Sequence, residues 1–268
     1  METDFHPQTT ESETPHFKAV GVVKGEVNFG EDGINSVVIS GKTYRLKYSS
    51  EKVKAILALK LQIKNTDLNE QRLIVHPRVI HFPNREQPYM FYFELVGFES
   101  HLTLDKGIFN VLNDFEFKIS GLWQFIPVCR VPCVSVFRNF TEDRKLFLTA
   151  AEPSVKMRFV KSSHLPLFWQ PSPITPFRFN PRIDKKEQGH PKFVQLKAKF
   201  VPQRDSFVFL EELAAPLEEP PKFLKASKQE KAEQQAEQRK KSSPTKSIKK
   251  KLVPKPKLAP PSKAKHPA

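Results

Sequence analysis

At 268 residues the chain is long enough for one large domain or two small ones with extensions, and its net charge of +15 points to a polyanionic partner. Nearly all of that excess sits at one end: residues 222–268 hold 15 Lys and Arg against the acids Glu230, Glu233 and Glu237, which leaves the rest near balance at +3. No apolar run approaches the roughly 20 residues of a membrane-spanning helix, and the phosphate-loop, dinucleotide, zinc-protease and nucleophile-elbow motifs are all missing.

Residues 1–16 are acidic, rich in Thr and Ser, and free of Lys and Arg. That composition predicts a disordered N-terminus and is wrong for a secretory segment. Beyond it, 23 Phe, 24 Pro and few long helical patterns predict a mainly β body. Residues 17–112 read as an OB-like β-barrel module. Phe17–Phe29 is a strand bent at Gly21 and Gly25, because glycine inside a strand marks a bulge or a close approach. Ser36–Ile39 and Thr43–Tyr48 form a hairpin across Ser40-Gly41-Lys42. Ser49-Ser50-Glu51 is a hydroxyl-capped helix start, followed by an apolar stripe of Val53, Ile56, Leu57, Leu59 and Leu61. Arg72–Phe82 and Tyr89–Phe98 are two more strands. Three strands, a helix and two strands is the element order of a small OB-like barrel.

Residues 113–213 read as a second β-rich module with the same opening. Asp114–Phe125 is a glycine-containing strand, and Cys133–Arg138 and Val155–Val160 are the next strands. His164–Trp169, with Pro171, Pro173 and Pro176 after it, reads as a loop where the first module has its helix. Phe177-Arg178-Phe179, Phe193–Phe200 and Ser206–Leu210 complete the set. Residues 214–268 are a Pro- and Lys-rich tail with the composition of a disordered segment.

The expected fold class is therefore mainly β, with one or two OB-like barrels and a disordered basic tail. Cys129 and Cys133 are the only cysteines. On one extended strand they lie roughly 13 Å apart at about 3.3 Å per residue, beyond disulfide reach, so they read as reduced thiols in a reducing compartment. The spacing of His and Cys supports no metal site, and no cofactor is expected. His76 and His81, five apart on one strand, point to opposite faces. No nucleophile, base or paired carboxylate stands out, and the chain reads as a non-enzyme.

The charge pattern predicts a nucleic-acid-binding protein, for RNA or single-stranded DNA, held on a basic β surface. Arg138, Arg178, Lys197 and Lys199 are the residues expected on phosphates, with Phe193 or Trp169 as a stacking ring. Trp169 has a second reading, as a plug in place of the missing helix. In the tail, Lys246, Lys249, Lys250 and Lys251 form a cluster that adds salt-sensitive affinity. The alternative is a scaffold or adaptor whose tail docks the ribosome or an acidic protein. The expected location is cytoplasmic.

The wording of Gly121-Leu122-Trp123-Gln124-Phe125-Ile126-Pro127, the run to Arg138-Asn139-Phe140, and Lys197–Leu213 resembles a group of uncharacterised cyanobacterial proteins with basic, proline-rich C-termini. The resemblance covers most of residues 17–225. It brings no activity with it and implies a bacterial cytoplasm.

Overall fold

The computed structural model describes residues 14–31, 33–84, 86–100, 107–184, 186–227 and 230. Its first half is a ring built from β1 (Lys18–Phe29), β2 (Asn35–Ile39), β3 (Lys42–Lys47), α1 (Val53–Thr66), β4 (Glu70–Ile80) and β5 (Met90–Phe98). Neighbours run β1-β2-β3-β5-β4 and back to β1, so five strands close into a small barrel. The β3–β5 pairing is parallel and the others are antiparallel. The β2–β3 turn places Ser40 and Gly41 at φ 51° and 77°, the left-handed pair that a two-residue hairpin needs.

Gly21 lies where β1 passes from one neighbour to another. It faces Val75 on β4 and Phe117 further along the chain. A Cβ at Gly21 would sit 2.3 Å from the Phe117 ring and 2.4 Å from the Glu116 carbonyl oxygen, so no larger residue fits. The helix differs in detail from expectation. Ser49 makes no side-chain cap; its carbonyl instead accepts the Lys52 N–H at 2.9 Å in a 3-10 turn over Ser50–Lys52. In α1 the row Ile56 and Leu59 packs inward, while Leu57 and Leu61 lie on the adjoining row and face solvent.

A short α2 (Ile108–Val111) leads to a second ring: β6 (Glu116–Gln124), β7 (Cys133–Val136), β8 (Arg138–Asn139), α3 (Glu142–Ala150), α4 (Pro153–Phe159), β9 (Ser163–Phe168), β10 (Phe193–Val201), β11 (Ser206–Leu217) and β12 (Phe223–Leu224). Here the order is β6-β7-β9-β11-β10 and back to β6, with β9–β11 parallel. The first ring's strand order is thus repeated, but the helices have moved from after the third strand to before it. β1 joins the rings through Lys18–Gly21, paired with Phe117–Ser120 on β6.

Three segments of this ring depart from the sequence reading. Val155–Val160, expected as a strand, belongs largely to α4. Pro153 opens that helix, and the Glu152 carbonyl accepts the N–H groups of Val155 and Lys156 at 2.9 Å. α3 was not expected at all. Its N-cap is Thr141, whose hydroxyl accepts the Arg144 N–H at 3.2 Å, with Glu142 and Asp143 in the first turn. His164–Trp169, expected as a loop, contributes to β9, because burying Leu165 and Leu167 on one side outweighs the N–H lost at Pro166.

The strand pattern also continues past Ala214. β11 runs to Leu217, and β12 pairs with β8. Phe223 completes an aromatic cluster with Phe17 and Phe137 at centroid distances of 5.2 and 4.6 Å. Cys129 and Cys133 do not share a strand. Ile126–Cys129 is a turn closed by a 2.8 Å hydrogen bond, while Cys133 begins β7.

The two rings bury one continuous core. Tyr44, Phe91 and Phe93 of the first meet Phe117, Phe200 and Phe207 of the second, with Phe93 and Phe200 edge to face at 5.5 Å. Polar clamps reinforce the joint. Tyr44 donates to Asp205 at 2.8 Å, Lys42 pairs with the same carboxylate, and Arg72 pairs with Asp114 at 2.6 Å.

Candidate functional site

Two adjoining hollows of about 200 and 110 Å³ open where the rings meet. One wall is β1, β4 and β5; the other is β8, α3, the end of α4 and Lys161–Ser163. Arg138 is at the centre. Short β8 is fastened at this point by Asn139, whose amide exchanges hydrogen bonds of 2.7 and 2.8 Å with the Phe17 backbone. The Arg138 guanidinium lies over the Phe159 ring at 4.4 Å and donates through Nε to the Phe159 carbonyl at 3.2 Å. Burial, followed by the like charges of Arg78 and Arg144, depresses its pKa from an ordinary guanidinium's.

Lys18, Arg144, Arg158 and Lys161 line the same hollows. Arg144 is aimed by its bond to the Asn139 carbonyl at 3.0 Å. Among the described residues none of these four, nor Arg138, has a carboxylate within ion-pair distance. The one acid in the lining, Glu94, is taken by Arg78 at 2.8 Å. Converging cations that outnumber the acids around them raise the free energy of the empty site, and a bound polyanion relieves it.

A basic row leads into this cleft across the first ring. Arg45 on β3 stands opposite Tyr92 on β5, and Tyr92 opposite Arg78 on β4. All three point outward by the strand alternation. Lys47 sits over the Tyr92 ring at 4.3 Å. Burial, then the Glu94 charge, raises the Tyr92 phenol's pKa, so it is a neutral donor at physiological pH. The row combines cations for phosphates with a half-buried ring.

Of the residues singled out from sequence, Arg138 alone lies in the cleft. Phe193 is 0% exposed and packs edge-on against Phe17 at 5.1 Å, so it has no free face for a base. Trp169 is the plug: it stacks on Phe209 at 4.5 Å and tilts against Trp123 at 5.6 Å. Arg178 is exposed but lies over Phe125, at a separate opening of about 690 Å³. Lys199 is exposed on β10, away from the cleft lining. Lys246, Lys249, Lys250 and Lys251 lie outside the described residues.

Lys197 has a structural partner set instead. It pairs with Glu116 at 2.8 Å and Glu211 at 3.6 Å, across both neighbours of β10. Burial works against ionisation of Glu116, but Lys197 and Asn113 outweigh it and hold the carboxyl below its usual range. A depressed carboxylate stabilises the fold above its unfolded pKa and stops doing so as pH falls through its folded one. Lys197→Ala should therefore cost about 1–2 kcal/mol near neutral pH, shrinking as pH drops below about 4, with oligonucleotide affinity unchanged. Urea midpoints across pH, beside a binding curve, check this.

Comparison of the chain with protein-family models and with curated proteins finds no match in either. The site therefore has to be read from its own geometry. The signal that could have found Arg45, Arg78 and Tyr92 was strand alternation in Thr43–Tyr48, Arg72–Phe82 and Tyr89–Phe98, which puts them all on outward positions. No local pattern signals Arg144, Arg158 or Lys161, which reach the cleft through two helices that sequence reasoning did not place.

Proposed function

We propose that the chain is a non-enzymatic binder of single-stranded nucleic acid. The phosphate backbone runs along the outer row of the first ring, past Arg45, Tyr92 and Arg78, into the cleft around Arg138. The observation that carries this reading is the convergence of Arg138, Arg144, Arg158 and Lys161 on two adjoining hollows, none of them paired with a carboxylate among the described residues. A closed five-stranded barrel with an aromatic and cationic outer face is the architecture that OB-folds use to track a single strand. Tyr92 gives a base a partial stacking surface, and the loosely specific chemistry predicts weak sequence preference. The lysine-rich tail adds long-range attraction.

The test is fluorescence anisotropy of the full chain with labelled single-stranded RNA, single-stranded DNA and duplex, each over a salt titration. The expected result is tighter binding of the single strands, with log affinity falling linearly against log salt. Removing residues 231–268 should flatten that slope while leaving binding at low salt. The cut belongs there and not at 222, because Phe223 and Leu224 are part of the fold. Absence of binding at low ionic strength overturns the proposal, and retention of protein partners after nuclease treatment would then favour the adaptor reading.

A further inference from the structure

A second cluster, outside the basic cleft, brings the chain's two cysteines together with a histidine from the other ring. Cys129 Sγ is 3.6 Å from His81 Nε2 and 3.7 Å from His81 Nδ1. His81 follows the end of β4 in the first ring, and its Nε2 is also 2.8 Å from the His164 carbonyl, an arrangement that orients the imidazole. The Cys133 thiol, at the start of β7, donates to the Gln124 carbonyl at 3.4 Å and lies 3.8 Å from the Ser135 hydroxyl. Cys133 is fully buried, whereas Cys129 is half-buried and lines the opening of about 690 Å³ beside Arg130 and Arg178. One thiol is thus reachable from solvent, and the other, which interacts with it, is protected.

The electrostatics divide the two sulfurs in the same way. The hydrogen bond from Cys133, then the one from His81, lower the Cys129 pKa to about 6 against the opposing effect of burial. Cys133 moves upward, first through its interaction with Cys129 and then because it is buried. For His81, burial pulls the pKa down, but the Cys129 sulfur and the His164 carbonyl outweigh it and the net shift is upward. The other titratable or charged groups around Cys129 are Tyr89, Arg130 and Arg178. Tyr89, with its pKa raised by burial first, stays neutral.

We propose that Cys129 is a hydroperoxide-reactive thiolate and Cys133 its resolving thiol, so that peroxide closes an intrachain disulfide at the seam between the rings. The Cys129 sulfur attacks one peroxide oxygen, the O–O bond breaks, and the departing hydroxide takes a proton from the His81 imidazolium to leave as water. Sulfur is oxidised to the sulfenic acid and the peroxide is reduced. The negative charge that held the Cys133 proton is then gone. Cys133 gives up that proton and attacks the Cys129 sulfur, the S–O bond breaks, and a second water leaves as the S–S bond forms.

The experiment uses the full reduced chain, exposed to hydrogen peroxide, quenched by alkylation and read by peptide mass spectrometry. The expected product is a Cys129–Cys133 disulfide, about 2 Da lighter than the dithiol. Cys133→Ser should stop at a sulfenic acid on Cys129 that dimedone traps, while Cys129→Ser should give no adduct. In the unoxidised protein, iodoacetamide should modify Cys129 with a midpoint near pH 6, and His81→Asn should move that midpoint towards the ordinary thiol value of about 8.5. Circular dichroism confirms that each variant is folded. The proposal is overturned if the folded dithiol resists peroxide, if Cys133→Ser gives no adduct, or if Cys129 alkylates with an ordinary thiol's pH profile.

Discussion

Arg138→Gln is expected to weaken binding of single-stranded nucleic acid by about 10- to 100-fold, the cost of roughly 1–3 kcal/mol for losing a well-placed cationic contact. The melting temperature should stay level or rise. The side chain sits within reach of the like charges of Arg78 and Arg144, which outweigh Glu94, and it is half-buried with no ion-pair partner among the described residues. Removing its charge relieves that repulsion, and glutamine retains an N–H donor for the Phe159 carbonyl that Arg138 now serves at 3.2 Å. A residue kept for binding at the expense of stability behaves in this way. A residue kept for stability behaves oppositely, because a cation at the end of α4 would favour the helix dipole. Anisotropy titration and a thermal melt on the same preparation separate the two. A lower melting temperature with unchanged affinity would assign Arg138 to the α4 terminus and remove it from the site.

Why Arg138 was legible and its neighbours were not follows from how each reaches the cleft. The first ring consists of strands long enough for alternation to show: β4 and β5 each bury every second residue over most of their length, and one hairpin turn and one helix complete the order. The second ring closes through β7 and β9, of 4 and 6 residues, the latter containing Pro166. Such segments carry little periodicity, and only the partner strands decide their state. Thr141-Glu142-Asp143 did carry a helix-start signal, a cap with two acids after it, but it was hidden behind the strand-like residues before and after it. For the site itself, alternation tells which face a lysine takes and nothing about what stands opposite. Lys197 reads as a free cation from its own strand; Glu116 and Glu211 come from two other strands, the first 81 positions away. The same limit hid Cys129, since His81 meets it only once both rings have closed.

Gly21→Ala is expected to cost about 3 kcal/mol or more, at or above the usual upper end for overpacking. The added methyl group would lie 2.3 Å from the Phe117 ring and 2.4 Å from the Glu116 carbonyl oxygen, and that oxygen belongs to backbone that cannot swing aside. Phe117 cannot yield easily either, because it is wholly buried, edge-on to Phe207 at 5.1 Å and stacked near Phe93 at 6.5 Å. Gly97→Ala supplies the control in the same first ring. The nearest atom to its new methyl group is the flexible Ile74 Cδ1 at 3.8 Å, so stability should change by less than about 1 kcal/mol, with a gain favoured by the lower chain entropy of alanine when unfolded. Because Phe93 and Phe200 tie the rings into one core, Gly21→Ala should move a single urea transition to lower denaturant and not split it in two. Two separate transitions would show that the shared aromatic core does not couple the rings, and equal midpoints for the two variants would show that the first ring yields at Gly21.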